Sequence, residues 1–318
     1  MKPKAVLAIL VCLVATLSLS AATAPADLLS TGKVDDAVRS LEGQVRKNPS
    51  DAQAYHLLSR AYYHLKKWDD AIADGEQAVQ LNPNNSDYYL WLGRAYGEKA
   101  EQASFLTAFG LAKKCRANFE RAVQLDPKNL DALSDVTEFY VEAPGIIGGG
   151  IDKAQVTAKQ LAALDSVRGH WAYGRIAEKQ KDPASAEREY TGAIKISPDA
   201  DNWLNLASFY QRQHRLEDME NAVTKAMSSG MKKSNSLYDA ASLLSGSGRN
   251  LAGAAAYLRR YLSLATQNED APAFEAHYKL GTILEKQGDK AGAASEFRAS
   301  LAMASDYKPA QEALKHVG

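Results

Sequence analysis

Prolines end look-alike segments along this 318-residue chain, and the cleanest interval between them, Pro49 to Pro83, is 34 residues. Asn48-Pro49, Asn82-Pro83, Asp126-Pro127 and Ser197-Pro198 each close a stretch with helical apolar spacing. Proline cannot continue a helix, so each pair marks a stop and a turn into the next unit. A unit this short cannot bury its apolar face alone. A chain built from such units must stack them, so the fold follows from the period before any single element is assigned.

Within each period two helices are legible. One runs through Asp70-Ala71-Ile72 to Ala78-Val79-Gln80-Leu81, and recurs as Phe119 to Leu125 and Ala186 to Ile194. The other, after the proline, reads Tyr55-His56-Leu57-Leu58-Ser59-Arg60-Ala61-Tyr62 and again Tyr89-Leu90-Trp91-Leu92-Gly93-Arg94-Ala95-Tyr96. Antiparallel helices approach closely only where side chains are small. Gly93, Gly174, Ala71 and Ala186 therefore read as crossing points, with Tyr62, Tyr96, Phe119 and Tyr190 filling the space beside them. These residues resemble the tetratricopeptide-repeat consensus. That resemblance implies an all-α, right-handed superhelical solenoid of antiparallel helix pairs whose work is to bind other proteins or peptides.

Further units are marked by Trp203, Leu206, Ala207 and Tyr210, then by Leu244, Gly253 and Tyr257, then by His277, Leu280, Gly281, Ala293 and Phe297. We count about eight in one domain spanning residues 25–318. The first is truncated to a stub at Asp27 to Ser30 before the helix Val34 to Asn48, and residues 308–316 read as a capping helix.

Two segments break the period. Pro83 to Pro127 is 44 residues, and the surplus falls near residues 98–114, where Phe105, Leu106, Phe109 and Leu111 recur at helical spacing. This predicts lengthened helices, with Phe105 and Phe109 either packed between them or forming a partner-binding ridge. The second break is the loop at 142–150, Glu142-Ala143-Pro144-Gly145-Ile146-Ile147-Gly148-Gly149-Gly150. It predicts an irregular turn that packs Ile146 and Ile147, with Asp152 at the following helix start. A glycine-rich turn before a helix can cradle phosphate, but no G-K-[ST] follows, and nucleotide binding is not expected. The lengthened unit and the Ala-Pro-Gly-x-x-Gly-Gly loop together resemble a group of exported bacterial tetratricopeptide-repeat proteins.

By the same resemblance, the residue after the small crossing position faces a concave groove. Here it is Arg60, Arg94 and Arg175, while Glu138 and Ser208 interrupt the row. Three arginines in register predict an acidic peptide or a free C-terminal carboxylate as ligand, with His56, Tyr63 and Trp171 beside them. Ordinary scaffold arginines are the alternative.

Residues 1–24 differ from the rest. Lys2 and Lys4 precede an uncharged run from Ala5 to Leu19, and Ser20 to Ala24 are small. This is the pattern of a secretory signal peptide cleaved after Ala22 or Ala24, which predicts a periplasmic or secreted protein. An uncleaved membrane anchor is the alternative. Cys12 lies mid-run after Val11, which does not suit lipidation. Cys115 then stands as the one thiol of the mature chain and falls at a helix-packing position.

Lysine plus arginine equal aspartate plus glutamate at 38 each, which argues against nucleic acid as partner. There is no H-E-x-x-H, G-x-S-x-G or paired-cysteine motif, so neither an enzyme, a metal nor a cofactor is expected. The sequence thus predicts an exported adaptor. The alternatives are a structural spacer or self-assembling envelope element, or an accessory subunit of envelope polysaccharide or secretion machinery.

Overall fold

The computed structural model describes residues 24–264 and 268–318. The predicted leader, with Cys12 and the cleavage position after Ala22, lies outside the described residues apart from Ala24.

Seventeen α-helices among the described residues form eight antiparallel pairs and a final single helix, wound as a right-handed superhelical solenoid. The pairs are α1 (Pro25–Ser30) with α2 (Val34–Lys47), α3 (Ala52–His64) with α4 (Trp68–Leu81), α5 (Ser86–Gln102) with α6 (Phe105–Leu125), and α7 (Leu130–Glu142) with α8 (Ile151–Leu164). They continue as α9 (Ser166–Lys179) with α10 (Pro183–Ile196), α11 (Ala200–Arg212) with α12 (Leu216–Ser228), α13 (Ser236–Gly246) with α14 (Leu251–Leu262), and α15 (Ala273–Lys286) with α16 (Lys290–Met303); α17 (Lys308–Val317) follows alone.

Local chemistry sets the boundaries. Asp51, Asn85, Asn129, Asp165 and Asp199 each precede the first helix of a pair and accept a hydrogen bond from a backbone N–H of its first turn. Such caps contribute about 1 kcal/mol each. At the other end, the Asn48, Asn82 and Asp126 side chains accept from the N–H two residues on, holding the turn that carries the proline.

Packing follows the small-residue pattern. A β-carbon on Gly93 would lie 2.6 Å from the Phe119 ring, one on Gly174 2.8 Å from Tyr190, and one on Gly281 2.5 Å from Phe297. In each pair, then, an aromatic ring of the second helix occupies the space left by a missing side chain on the first. Pairs are joined by a recurring polar contact: the Tyr62 hydroxyl donates to Glu42 at 3.2 Å and that of Tyr140 to Glu120 at 2.8 Å. Tyr96 and Glu76 make the same bond.

The superhelix returns to its own start. Leu29, Val34 and Leu65 share one core with Phe274, Tyr307 and Ala310. Across the same seam Asp35 accepts from the Ser305 N–H at 2.8 Å, and Lys67 pairs with Asp306 at 2.5 Å. The turn glycine Gly32, at φ +74°, approaches Ala273 so closely that a β-carbon would lie 2.7 Å from its nitrogen. The end of the array is therefore covered by α17 and by the first pair together.

The two breaks in period are neighbours. The surplus residues lengthen α5 to 17 residues and α6 to 21, against 13 and 14 in α3 and α4. The loop after α7 forms a short 3-10 turn at Gly145–Ile147, then passes through Gly148 at φ +96°, a left-handed conformation that glycine adopts without strain. Arg116 of α6 donates to the Ile147 carbonyl at 3.0 Å and Lys153 to that of Gly148 at 2.9 Å, so the lengthened pair and the next pair's loop are held together.

Candidate partner-binding site

Phe105 and Leu106, at the start of α6, are 83% and 85% exposed, and Ile146 of the loop is 78% exposed. Fully exposing three large apolar side chains forfeits about 1.5–3 kcal/mol of burial at each. With half-buried Phe109 and Ile147 they line an open cavity of about 520 Å³ whose wall is almost wholly apolar. The expectation that the loop would pack both isoleucines is corrected in part: Ile147 lies against the groove, but Ile146 points away from the core. Packing of Phe105 between the lengthened helices is likewise excluded. The loop is held through its Ile147 and Gly148 carbonyls and is tightly folded at Gly149, where a β-carbon would lie 1.8 Å from the Ala143 carbonyl oxygen.

The arginine row arrives already paired. Arg60 makes a two-point contact with Glu269, with its Nε at 2.7 Å from Oε1. The Nε of Arg94 is 2.6 Å from Asp135. Arg175, 8% exposed, reaches Glu138 at 2.6 Å, Glu142 at 2.7 Å and Glu178 at 3.2 Å. Burial opposes its charge, but the bonds to Glu138 outweigh that and hold its pKa above the usual arginine value. Glu138, which interrupts the row in sequence, is thus the counter-ion of the next arginine. Apart from Arg60, whose partner Glu269 lies far along the chain, the row forms a ladder between successive first helices, extended by Arg168 to Asp131 at 2.6 Å and Arg212 to Glu178 at 2.8 Å.

The side chains expected beside the arginines are also engaged. His56 is a correction: it is only 4% exposed, stacked on Tyr88 with ring centroids 4.6 Å apart, and does not face an open groove. Burial, reinforced by Arg60, lowers its pKa to about 3, so it is neutral. Trp171 is half-buried between two core clusters. Tyr63 lines a cavity, with its hydroxyl 3.3 Å from Glu98. Trp91, not singled out from the sequence as a site residue, is central to this region: the guanidinium groups of Arg60 and Arg94 each lie 4.8 Å from its ring centroid. Cys115 is buried as expected, and burial pushes its thiol up to about 12, which makes it a packing residue.

A tetratricopeptide-repeat model matches residues 27–86 and 238–308, the two ends that meet across the seam. The chain carries tetratricopeptide repeats at both ends. The unmatched stretch between those ends contains both breaks in period and hence the apolar groove. Among solved structures, yeast Tom70 aligns with a TM-score of 0.54 at 16% identity, covering 89% of this chain and 58% of that one, a likeness of fold. A tetratricopeptide-repeat protein of Parabacteroides merdae aligns at 17% identity over 92% of this chain and 95% of its own, with a TM-score of 0.46. One from Thermus thermophilus aligns at 23% identity over 59% of this chain and 95% of its own, with a TM-score of 0.49. Among curated proteins no sequence matches. The tetratricopeptide-repeat fold points to protein–protein interaction. Among the described residues, no helix of this repeat protein is long and apolar enough to cross a membrane.

Proposed function

We propose that the protein is an exported, non-enzymatic adaptor that holds a protein partner at the apolar groove between the lengthened helix pair and the glycine-rich loop. The observation that carries this is the exposure of Phe105, Leu106 and Ile146 side by side on an ordered frame. Contiguous apolar surface of this kind marks interaction sites on monomeric proteins. The arginine row is a weaker candidate, because a carboxylate ligand at Arg60, Arg94 or Arg175 would first have to displace Glu269, Asp135 or Glu138. The export reading rests on the charged, apolar and small-residue regions of residues 1–24.

A photo-crosslinking residue at position 106, compared with one at exposed Lys225 on the far part of the array, tests the site in cells. The expected outcome is one partner trapped from position 106, not from 225, and lost when Ile146→Asp is added. Equal trapping from both positions would reject the groove. Sequencing the mature amino terminus tests export, with Thr23 or Pro25 expected as first residue; retention of Met1 would reject cleavage. The self-assembly alternative draws on the same exposed residues and is separated by sedimentation, since a monomer at working concentration excludes it.

A further inference from the structure

The chemistry of the partner segment can be read from what adjoins the groove, an inference that rests on the groove being the binding site. The apolar cavity does not end at Ile147. Ala100, Glu101, Ala112 and Ile147 line both it and a second cavity of about 480 Å³. Its charged groups are mostly carboxylates: Glu98, Glu101, Asp135, Glu138 and Glu142 line it, with Arg94 as the one cation of its wall among the described residues.

That negative charge is incompletely balanced. Arg94 is committed to Asp135 at 2.6 Å. Arg175, Lys179 and Arg212 together answer Glu138, Glu142 and Glu178, so the unmatched charge lies at Glu98 and Glu101. Glu98 accepts only the Tyr63 hydroxyl at 3.3 Å, and neither it nor exposed Glu101 forms an ion pair among the described residues. Burial first, and then the charge of Glu101, holds the Glu98 carboxyl above the usual range even with Lys66 acting on it from a distance. A cation placed between Glu98 and Glu101 would offset their mutual repulsion and favour the charged form of both.

We propose that the groove receives a segment of another protein that lays apolar side chains against Phe105, Leu106 and Ile146 and directs an arginine or lysine to Glu98 and Glu101. The apolar wall supplies area and the adjoining carboxylates supply register, the division of labour typical of peptide-binding clefts. An acidic segment would meet the uncompensated carboxylates. A second copy joined through the same patch on a two-fold axis would bring like charges together. An anionic bilayer would be repelled by them.

The test is fluorescence anisotropy on the full mature chain with two dye-labelled amphipathic helical peptides, identical in their leucine face and carrying either arginines or glutamates beside it. The arginine peptide is expected to bind and to weaken about tenfold with Glu98→Gln/Glu101→Gln, losses ordinary for two partly exposed charge pairs. Its binding is expected to vanish with Phe105→Ser/Leu106→Ser, and the glutamate peptide to bind at least about tenfold more weakly than its partner, on the same charge argument. Thermal melts of both variants verify that they fold. Equal binding of the two peptides, abolished only by the serine pair, overturns the charge assignment and leaves the groove as the site. No binding of either peptide, together with a position-106 crosslink that the serine pair does not change, overturns both. Flotation with anionic phosphatidylserine vesicles, or a Leu106-dependent dimer in sedimentation, assigns the groove to a membrane or to a second copy and also overturns the proposal.

Discussion

Gly43 and Gly93 both lie inside helices, yet a β-carbon would meet different surroundings at each. At Gly43 the nearest atom is the Arg46 guanidinium at 3.9 Å, whereas at Gly93 it is the Phe119 ring at 2.6 Å. Gly43→Ala should raise stability by about 0.5–1 kcal/mol through helix propensity alone. Gly93→Ala should lower it by about 1–3 kcal/mol, the usual cost of overpacking. Denaturant melts of the two variants check both signs. Two histidines on α3 offer a second contrast. His64 is buried between Glu269 and Glu275 at 3.8 and 3.5 Å. Burial opposes its charge, but the two glutamates outweigh that and raise its pKa to about 9. At those distances the effect is one of charge more than of hydrogen bonding, and its Nε2 has no hydrogen-bond partner. A folded-state pKa above the unfolded value of 6.5 means the contribution is complete below pH 6.5 and is lost as pH rises through about 9. His56 has the opposite sign. Its folded-state pKa near 3 means the unfolded chain takes up the proton first, so stability falls as pH drops from 6.5 towards 3. Stability should therefore peak near neutrality, with His64→Gln flattening the alkaline limb and His56→Gln the acid limb. An unchanged alkaline limb in His64→Gln would refute the first assignment.

At the scale of helices and loops, much was legible because the determinants are local. The proline stops are read from adjacent residues, whereas the caps Asp51, Asn85, Asn129, Asp165 and Asp199, equally local, emerge only with the structure. The crossing glycines and their rings are paired through the repeat itself. The lengthening of α5 and α6 was legible too, since ten extra residues with helical spacing leave little else to form. What was not legible is which face those residues present. Phe105 and Leu106 have the composition of core residues, and only the position of the next loop, fixed by Arg116 reaching the Ile147 carbonyl, leaves them uncovered. The partners of the arginine row escaped for a similar reason: charge in one helix says nothing of the counter-charge on another. The exposed pair yields a prediction at this scale. Because Phe105 and Leu106 contribute little buried area, Phe105→Ser/Leu106→Ser should change unfolding free energy by less than about 0.5 kcal/mol, as surface substitutions usually do. Phe119→Ser, by contrast, replaces a buried ring and should cost about 3–5 kcal/mol. A large loss from the Phe105/Leu106 variant would mean that these residues support the fold.

At the scale of the whole molecule, the small rotation from one helix pair to the next brings the first pair against the last. No single repeat encodes this, since it depends on the accumulated geometry of eight pairs. Arg60 and Glu269, 209 residues apart, meet because α3 and the segment before α15 are brought together. That segment is itself fixed: the Tyr261 hydroxyl donates to the Ala271 carbonyl at 2.6 Å and accepts from the Asn268 N–H at 2.8 Å. The contact therefore reports on closure as well as on the arginine row. If Arg60 serves the closed ring, Arg60→Ala and Glu269→Ala should each cost about 2–3 kcal/mol, because each leaves a half-buried charge without its partner. The double variant should then cost much less than the sum, with a coupling of about 1–3 kcal/mol. If Arg60 instead waits for an external carboxylate, Glu269→Ala would be nearly silent and the coupling would vanish. Small-angle scattering separates loss of the ion pair from loss of closure. The Arg60 and Glu269 variants should keep the native radius of gyration, since Leu29, Val34, Phe274 and Ala310 still share a core. Tyr307→Asp places a charge in that core against Phe274, whose ring centroid is 5.0 Å away, and should open the ring and enlarge the radius. An enlarged radius in Glu269→Ala alone would show that the ion pair, more than the apolar seam, keeps the two ends together.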